Sequence, residues 1–174
     1  MIHVSNSNQS GDFDDVFAAN QVFANSFEDS HLTGTATRGL AIVTCMDSRI
    51  NPLAAVGMQA GDAKILRNAG ARVTDDVLRT LVLATYLLGV KRVLVMPHTD
   101  CRMANNNEAE IHAMIQDQHG VDTRSIEFRT VDNQQSALIN DVTRIRSFPF
   151  LPKGLVVVGA IYDVATGLLN SVEC

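Results

Sequence analysis

Two clusters carry the chemistry of this chain. Cys45-Met46-Asp47-Ser48-Arg49 and, about fifty residues later, His98-Thr99-Asp100-Cys101 each follow a short apolar run. Together Cys45, His98 and Cys101 offer two thiolates and an imidazole, a zinc-type donor set, with a carboxylate and a guanidinium two and four residues beyond the first thiol. Three protein donors leave a tetrahedral ion one ligand short. Structural zinc usually takes four, whereas three plus an exchangeable water is the catalytic arrangement, so the vacancy points to chemistry on water.

Singly, each residue has a blander reading. A strand-end cysteine is usually a small buried hydrophobe, and an isolated histidine is usually a surface or satisfied core residue. The conjunction argues otherwise, because both clusters sit at matching ends of predicted parallel strands, where loops converge on one crevice. Asp47 and Arg49 alternate on an extended segment and point the same way, so Arg49 can hold Asp47 ionised and oriented. Alone such a pair is a weak surface salt bridge; beside a metal it becomes a device for orienting the bound water.

The elements that must position these groups are legible as apolar runs separated by helical patterns. Gly39–Cys45 is too short for a typical helix and reads as a strand buried on both faces, and residues 63–67, 92–96 and 155–161 have the same character. Helices are expected after Pro52, over 74–88, from about 107 to 119 and over 132–146. Thr74 caps the second of these, and Asp132 with Gln135 resembles a capping box for the last. Asp163–Gly167 turns the chain into a final strand near 168–172 that returns antiparallel at an edge. The fold expected is α/β, with four parallel strands, an antiparallel edge strand and flanking helices. Phe13, Val16, Phe17, Phe23 and Phe27 recur at near-helical spacing, and four of the chain's seven phenylalanines lie here. This N-terminal arm, about 12–30, packs either on its own domain or on a partner subunit.

With 174 residues, 46% of them hydrophobic, one domain over 1–174 is expected. A net charge of −5 with scattered basic residues gives no footprint for nucleic acid or an anionic membrane surface. No apolar stretch reaches the roughly 18 residues of a membrane span, and the N-terminus lacks a signal-peptide layout, so a soluble cytoplasmic protein is expected. Three cysteines form no even disulfide framework, and Cys174 reads as a free terminal thiol. Neither a Walker-type loop nor a Gly-x-Gly-x-x-Gly turn is present, and Asp75 and Asp76 occupy the helix start where phosphate would sit. His3, His31, His112 and His119 are candidate proton carriers, better read as solvated surface residues.

The two clusters resemble the signature of the beta-class carbonic anhydrases, Cys-x-Asp-x-Arg followed by His-x-x-Cys. The resemblance extends to Arg67-Asn68-Ala69-Gly70, similar to the family's loop beside the zinc, and to Tyr162-Asp163-Val164-Ala165-Thr166-Gly167, similar to its terminal hairpin. It runs from about Phe13 to Val172 and is closest to the short bacterial members. It implies one zinc ion per subunit on Cys45, His98 and Cys101, and carbon dioxide and bicarbonate as substrates. It also implies a homodimer or multiple of dimers, with the N-terminal arm packed on the neighbour.

By that resemblance, zinc hydroxide is the nucleophile, Asp47 accepts its hydrogen bond and Arg49 holds Asp47. Asp47 can also become the fourth ligand in a closed form released from its arginine. Asn68, Ala69 and Gly70 line the pocket. One residue departs from the pattern: glycine usually follows the second thiol, and here it is Arg102, which points to solvent, binds bicarbonate or another anion, or narrows the entrance. A carbonyl sulfide or carbon disulfide hydrolase with the same ligands, and a non-catalytic zinc or anion-binding homologue, are the alternatives.

Overall fold

The computed structural model describes residues 11–174, which divide into two compact units after Leu32. In the first, a 3₁₀ turn leads into helix α1 (Asp14–Asn25), with Asp14 and Asp15 at the positive end of its dipole. Phe13, Val16, Phe17, Phe23 and Phe27 are all exposed.

The second unit is built on a five-stranded sheet. In chain order it contains β1 (Leu40–Cys45), α2 (Pro52–Ala55), β2 (Ala63–Asn68), α3 (Asp75–Leu87), β3 (Arg92–Met96), α4 (Arg102–Asn105), α5 (Glu108–His119), α6 (Gln134–Arg146), β4 (Val156–Tyr162) and β5 (Leu169–Val172). The strand order is β2-β1-β3-β4-β5, with the first four parallel and β5 antiparallel to β4. This is the architecture expected from the alternation of apolar runs and helical patterns.

Strand residues alternate between two cores, as the pleat requires. Ala41, Val43, Val93 and Val95 enter one core with Val77, Leu78 and Leu81 of α3 and Leu138, Val142 and Ile145 of α6. Leu40, Ile42, Leu94 and Met96 enter the other with Ile50, Met103 and Ile111. The first strand is buried throughout, as its unbroken apolar run demands. The second and fourth strands are not buried on both faces. β2 is an edge strand and only partly covered, while Val156 and Val158 of β4 face solvent.

Caps explain most helix starts. Thr74 accepts from the Val77 N–H, Asn51 from Ala54, and Asn107 forms a reciprocal capping box with Glu110. The final helix starts one residue later than the sequence pattern suggests. Its cap is Asn133, whose side chain accepts from Ser136, and not Asp132 paired with Gln135. At the last turn, the Asp163 carboxylate accepts from the Ala165 and Thr166 N–H groups before Gly167 reverses the chain. Among the described residues, no helix is long and apolar enough to cross a membrane.

Candidate metal centre

Parallel pairing places Thr44 opposite Met96, so Cys45 at the end of β1 and the segment following β3 emerge side by side. The chain then turns through Asp100, a non-glycine residue at φ 54°, which returns Cys101 toward the strand ends. Ligand atoms of Cys45, His98 and Cys101 all lie within 4.8 Å of one another, and all three residues are buried. The sequence placed these three together, and the structure brings them together.

The imidazole is prepared as a donor. Its Nδ1 lies 2.8 Å from the Thr99 carbonyl oxygen, which can only accept, so Nδ1 carries the proton and Nε2 keeps its lone pair. His98 Nε2 is the single buried side-chain nitrogen or oxygen among the described residues with no hydrogen-bond partner. Leaving a buried polar atom unsatisfied costs about 1–3 kcal/mol, which a bound cation would offset. Its carbonyl is anchored from α6 by Gln134 Nε2 at 2.7 Å.

The thiols are coupled. A hydrogen bond donated by Cys101 draws the Cys45 pKa far down against the opposing effect of burial, and N–H groups of Gly70 and Asp47 add to the lowering. Cys101 is pushed up by the Cys45 sulfur and by burial. Two sulfurs, one of them readily ionised, with an imidazole lone pair form a donor set that fits a zinc-type ion.

Around the donors stands a ring of side chains. Arg49 grips Asp47 bidentately, Nε to Oδ1 at 3.0 Å and Nη2 to Oδ2 at 2.8 Å, while the Arg49 N–H also donates to Oδ1. That arginine holds the Asp47 carboxyl well below the usual carboxylate range. Asp47 Oδ2 lies 3.7 Å from His98 Nε2, facing the donor group. Arg67 of β2 donates to the carbonyls of Cys45 and Asp47, fixing the turn that carries both.

The predicted loop residues lie alongside. Asn68 ends β2, and Ala69 and Gly70 form a tight turn with Gly70 at φ 78° and Ala71 at φ 59°. Arg102 begins α4, is exposed, and makes no side-chain hydrogen bond or ion pair among the described residues. With Asp47, Arg49, Asp100, Asn105 and Asn106 it lines an open cleft of about 440 Å³.

Asp100, Arg67 and Gln134 have site contacts that spacing alone did not assign. The histidines read as solvated surface residues in preference to proton carriers make local contacts. His31 Nδ1 meets the Glu28 carbonyl, His112 Nδ1 meets Thr123 Oγ1, His119 is exposed in the last turn of α5, and His3 lies outside the described residues.

Residues 40–169 match the sequence model of the family described as carbonic anhydrase. The chain is 36% identical to beta-carbonic anhydrase 1 of Mycobacterium tuberculosis over 163 residues, covering 91% of this chain and 96% of that protein. This chain belongs to the beta-carbonic anhydrase family. A solved carbonic anhydrase from Streptococcus mutans is similar at a TM-score of 0.87 and 36% identity, covering 96% of this chain and all of that one. A carbon disulfide hydrolase of Acidianus sp. is 30% identical over 76% of each chain. The matched span includes Cys45, Asp47, Arg49, His98 and Cys101, the residues that the fold gathers at the strand ends.

Proposed function

We propose that the protein catalyses the reversible hydration of carbon dioxide to bicarbonate and a proton, using one zinc ion per subunit held by Cys45, His98 and Cys101. The observation that carries this reading is the buried, unpartnered Nε2 of His98 grouped with two thiols beside an aspartate fixed by arginine. Bound there, zinc supplies a Lewis acid that makes a water nucleophilic near neutral pH.

The chain's own residues supply the rest. Two thiolates neutralise a divalent ion, so water is acidified less than at an all-histidine site, and help from surrounding groups matters more. Asp47 Oδ2 accepts the hydrogen bond of the attacking water and directs its lone pair toward the carbon atom. Arg49 keeps Asp47 ionised and in place. The water oxygen bonds to the carbon of carbon dioxide, the displaced proton passes to solvent or buffer, and bicarbonate leaves through the open cleft. The same Oδ2, 3.7 Å from His98 Nε2, could itself complete the ligand set of a bound ion, and Arg49 restrains it.

Asn68, Ala69 and Gly70 form a wall of the pocket, supported by the pairing of Asn68 with Cys45 in the sheet. Arg102 lines the cleft with no side-chain partner among the described residues, placed to attract bicarbonate and other small anions. The exposed phenylalanines of α1, together with family membership, support assembly as a homodimer or a multiple of dimers.

Similarity to the carbon disulfide hydrolase supports a second reading, in which the same residues act on a sulfur analogue. The test is zinc analysis of purified protein, followed by stopped-flow carbon dioxide hydration and a sulfide-release assay with carbon disulfide and carbonyl sulfide. One zinc per chain with hydration dominant supports the proposal. Dominant sulfide release moves the assignment to the second reading, and zinc without either activity leaves a binding module.

A further inference from the structure

Arg49 is gripped on two edges. Asp47 takes Nε and Nη2, while Asp100 takes Nη1 through Oδ2 at 2.9 Å and Nη2 through its main-chain carbonyl at 3.2 Å. All three guanidinium nitrogens are therefore engaged. An ordinary exposed ion pair stabilises little, since ordering two long side chains offsets a screened attraction, and Arg49 and Asp100 are both exposed. Asp100 differs because its backbone delivers it. At φ 54° the left-handed turn aims its carboxylate and its carbonyl at one guanidinium, and Asn105 Nδ2 donates to the remaining carboxylate oxygen at 3.4 Å. A conformation uncommon outside glycine is retained here by an aspartate, one of the residues that tolerates it best.

We propose that Asp100 is a positioning residue, which pins the outer edge of Arg49 so that the inner edge stays on Asp47 and keeps Asp47 out of the fourth ligand position. This rests on the metal-dependent reading above. Without Asp100, the half-exposed guanidinium gains rotamer freedom and loses its fixed plane, so its bidentate hold on Asp47 weakens. Asp47 Oδ2, already 3.7 Å from His98 Nε2, then competes more strongly with exogenous ligands for the ion.

The experiment uses the full chain loaded with cobalt(II) in place of zinc, titrated with azide and followed by the visible cobalt spectrum. Asp100→Asn and Asp100→Gly both suit a left-handed backbone, so the turn is kept while the carboxylate is removed. The expected result is one cobalt per chain and a retained fold with cooperative melting in both variants, with azide affinity weakened about 10-fold, the scale on which groups supporting ligands act. Loss of a negative charge near the site would by itself tighten azide binding, so weakening carries the opposite sign to a simple charge effect. In an Asp47→Asn background, adding Asp100→Asn should change azide affinity no further, because Asp100 acts through Asp47.

Unchanged or tighter azide binding in Asp100→Asn overturns the proposal, as does an undiminished effect in the Asp47→Asn background. Loss of cobalt from both Asp100 variants overturns it in favour of a purely structural turn. Wild-type protein that takes up no cobalt overturns it as well. Wild-type protein that binds cobalt and azide but hydrates no carbon dioxide removes the catalytic reading alone, and the azide titrations then still decide the role of Asp100.

Discussion

Asn68 and Arg72 close on each other across a three-residue turn: the Asn68 amide donates to the Arg72 carbonyl at 2.7 Å, and its oxygen accepts from the Arg72 N–H at 2.9 Å. One side chain thus replaces two main-chain partners and holds Ala69, Gly70 and Ala71 in a conformation that extended backbone would not enter. The turn matters because Asn68 pairs with Cys45 across the sheet and its carbonyl accepts from the Met46 N–H at 2.9 Å, so the turn adjoins the first thiol.

Asn68→Ala should therefore destabilise the protein by about 1–3 kcal/mol, since it leaves the Arg72 N–H without its partner and removes one of the two donors to the Arg72 carbonyl, which keeps the Thr74 N–H at 3.1 Å. Gly70→Ala should also destabilise it, because a Cβ there meets Met103 Cβ at 3.1 Å and Cγ at 3.2 Å while the residue sits at φ 78°. Urea denaturation of zinc-loaded protein measures both, and a wild-type midpoint in Gly70→Ala would mean the turn is free to relax.

Asp47→Asn keeps the shape of the side chain but removes the charge that Arg49 orients. Carbon dioxide hydration should fall by about 10²-fold, in the range for loss of a group that handles a proton in the reaction, with zinc content unchanged. Stopped-flow rates with zinc analysis on the same sample check this; full activity would remove Asp47 from the mechanism.

Arg102→Ala should leave zinc content intact and weaken inhibition by small anions by up to about 5-fold, the reach of one exposed charge. The difference should shrink as ionic strength rises, because screening shortens its range. Inhibition constants for bicarbonate and thiocyanate at two salt concentrations are the measurement.

Behind the site, Arg72 Nε meets Asp141 Oδ2 at 2.7 Å, with the aspartate side chain only 8% exposed. Asp141→Ala leaves the guanidinium in a poorly solvated place, and stability should drop by about 3 kcal/mol. In a protein of this size that lowers Tm by about 6–12 °C, measurable by calorimetry.

Acid should unfold the protein through a defined set of carboxylates. Arg49 lowers Asp47 and Asp100, and Arg124 lowers Asp122. The Gln59 N–H lowers Asp62, and the Ala165 N–H lowers Asp163. Burial raises Glu108, but the N–H groups of Phe128 and Thr130 outweigh it, so its net shift is also downward. Each folded pKa lies below its unfolded value near 4, so the unfolded chain binds more protons in that window. The stabilisation is complete above about pH 5 and is lost as pH falls through the depressed folded values. Denaturant midpoints measured from pH 7 to pH 3 should fall steadily below about pH 5; a flat profile there would contradict these shifts.

What was legible from sequence, and what was not, divides by range. β1 could be read because both its faces are buried, leaving an unbroken apolar run from Leu40 to Val43. Cys45, His98 and Cys101 could be read because strand ends converge and the donor types are few. The exposure of Val158 was hidden, since a valine looks the same whether or not a helix covers it. The α6 cap was ambiguous between adjacent Asp132 and Asn133, either of which suits the position chemically. Asp100's hold on Arg49 depends on a left-handed turn that brings together residues 51 apart in the chain. A second acidic residue between two ligands was the available signal. Gln134 offered none, because its contact with the His98 carbonyl depends on how α6 lies against the sheet.

The pairing of Thr44 with Met96 gives the donor group a further meaning. His98 and Cys101 are local neighbours, but Cys45 joins them only when β1 and β3 align in this register. A one-residue slip would turn Cys45 to the opposite face of the sheet and separate the three donors. Ion uptake at this site would therefore be a proofreading signal for the fold: a correctly registered sheet would present all three donors to the ion, and a misaligned one would not.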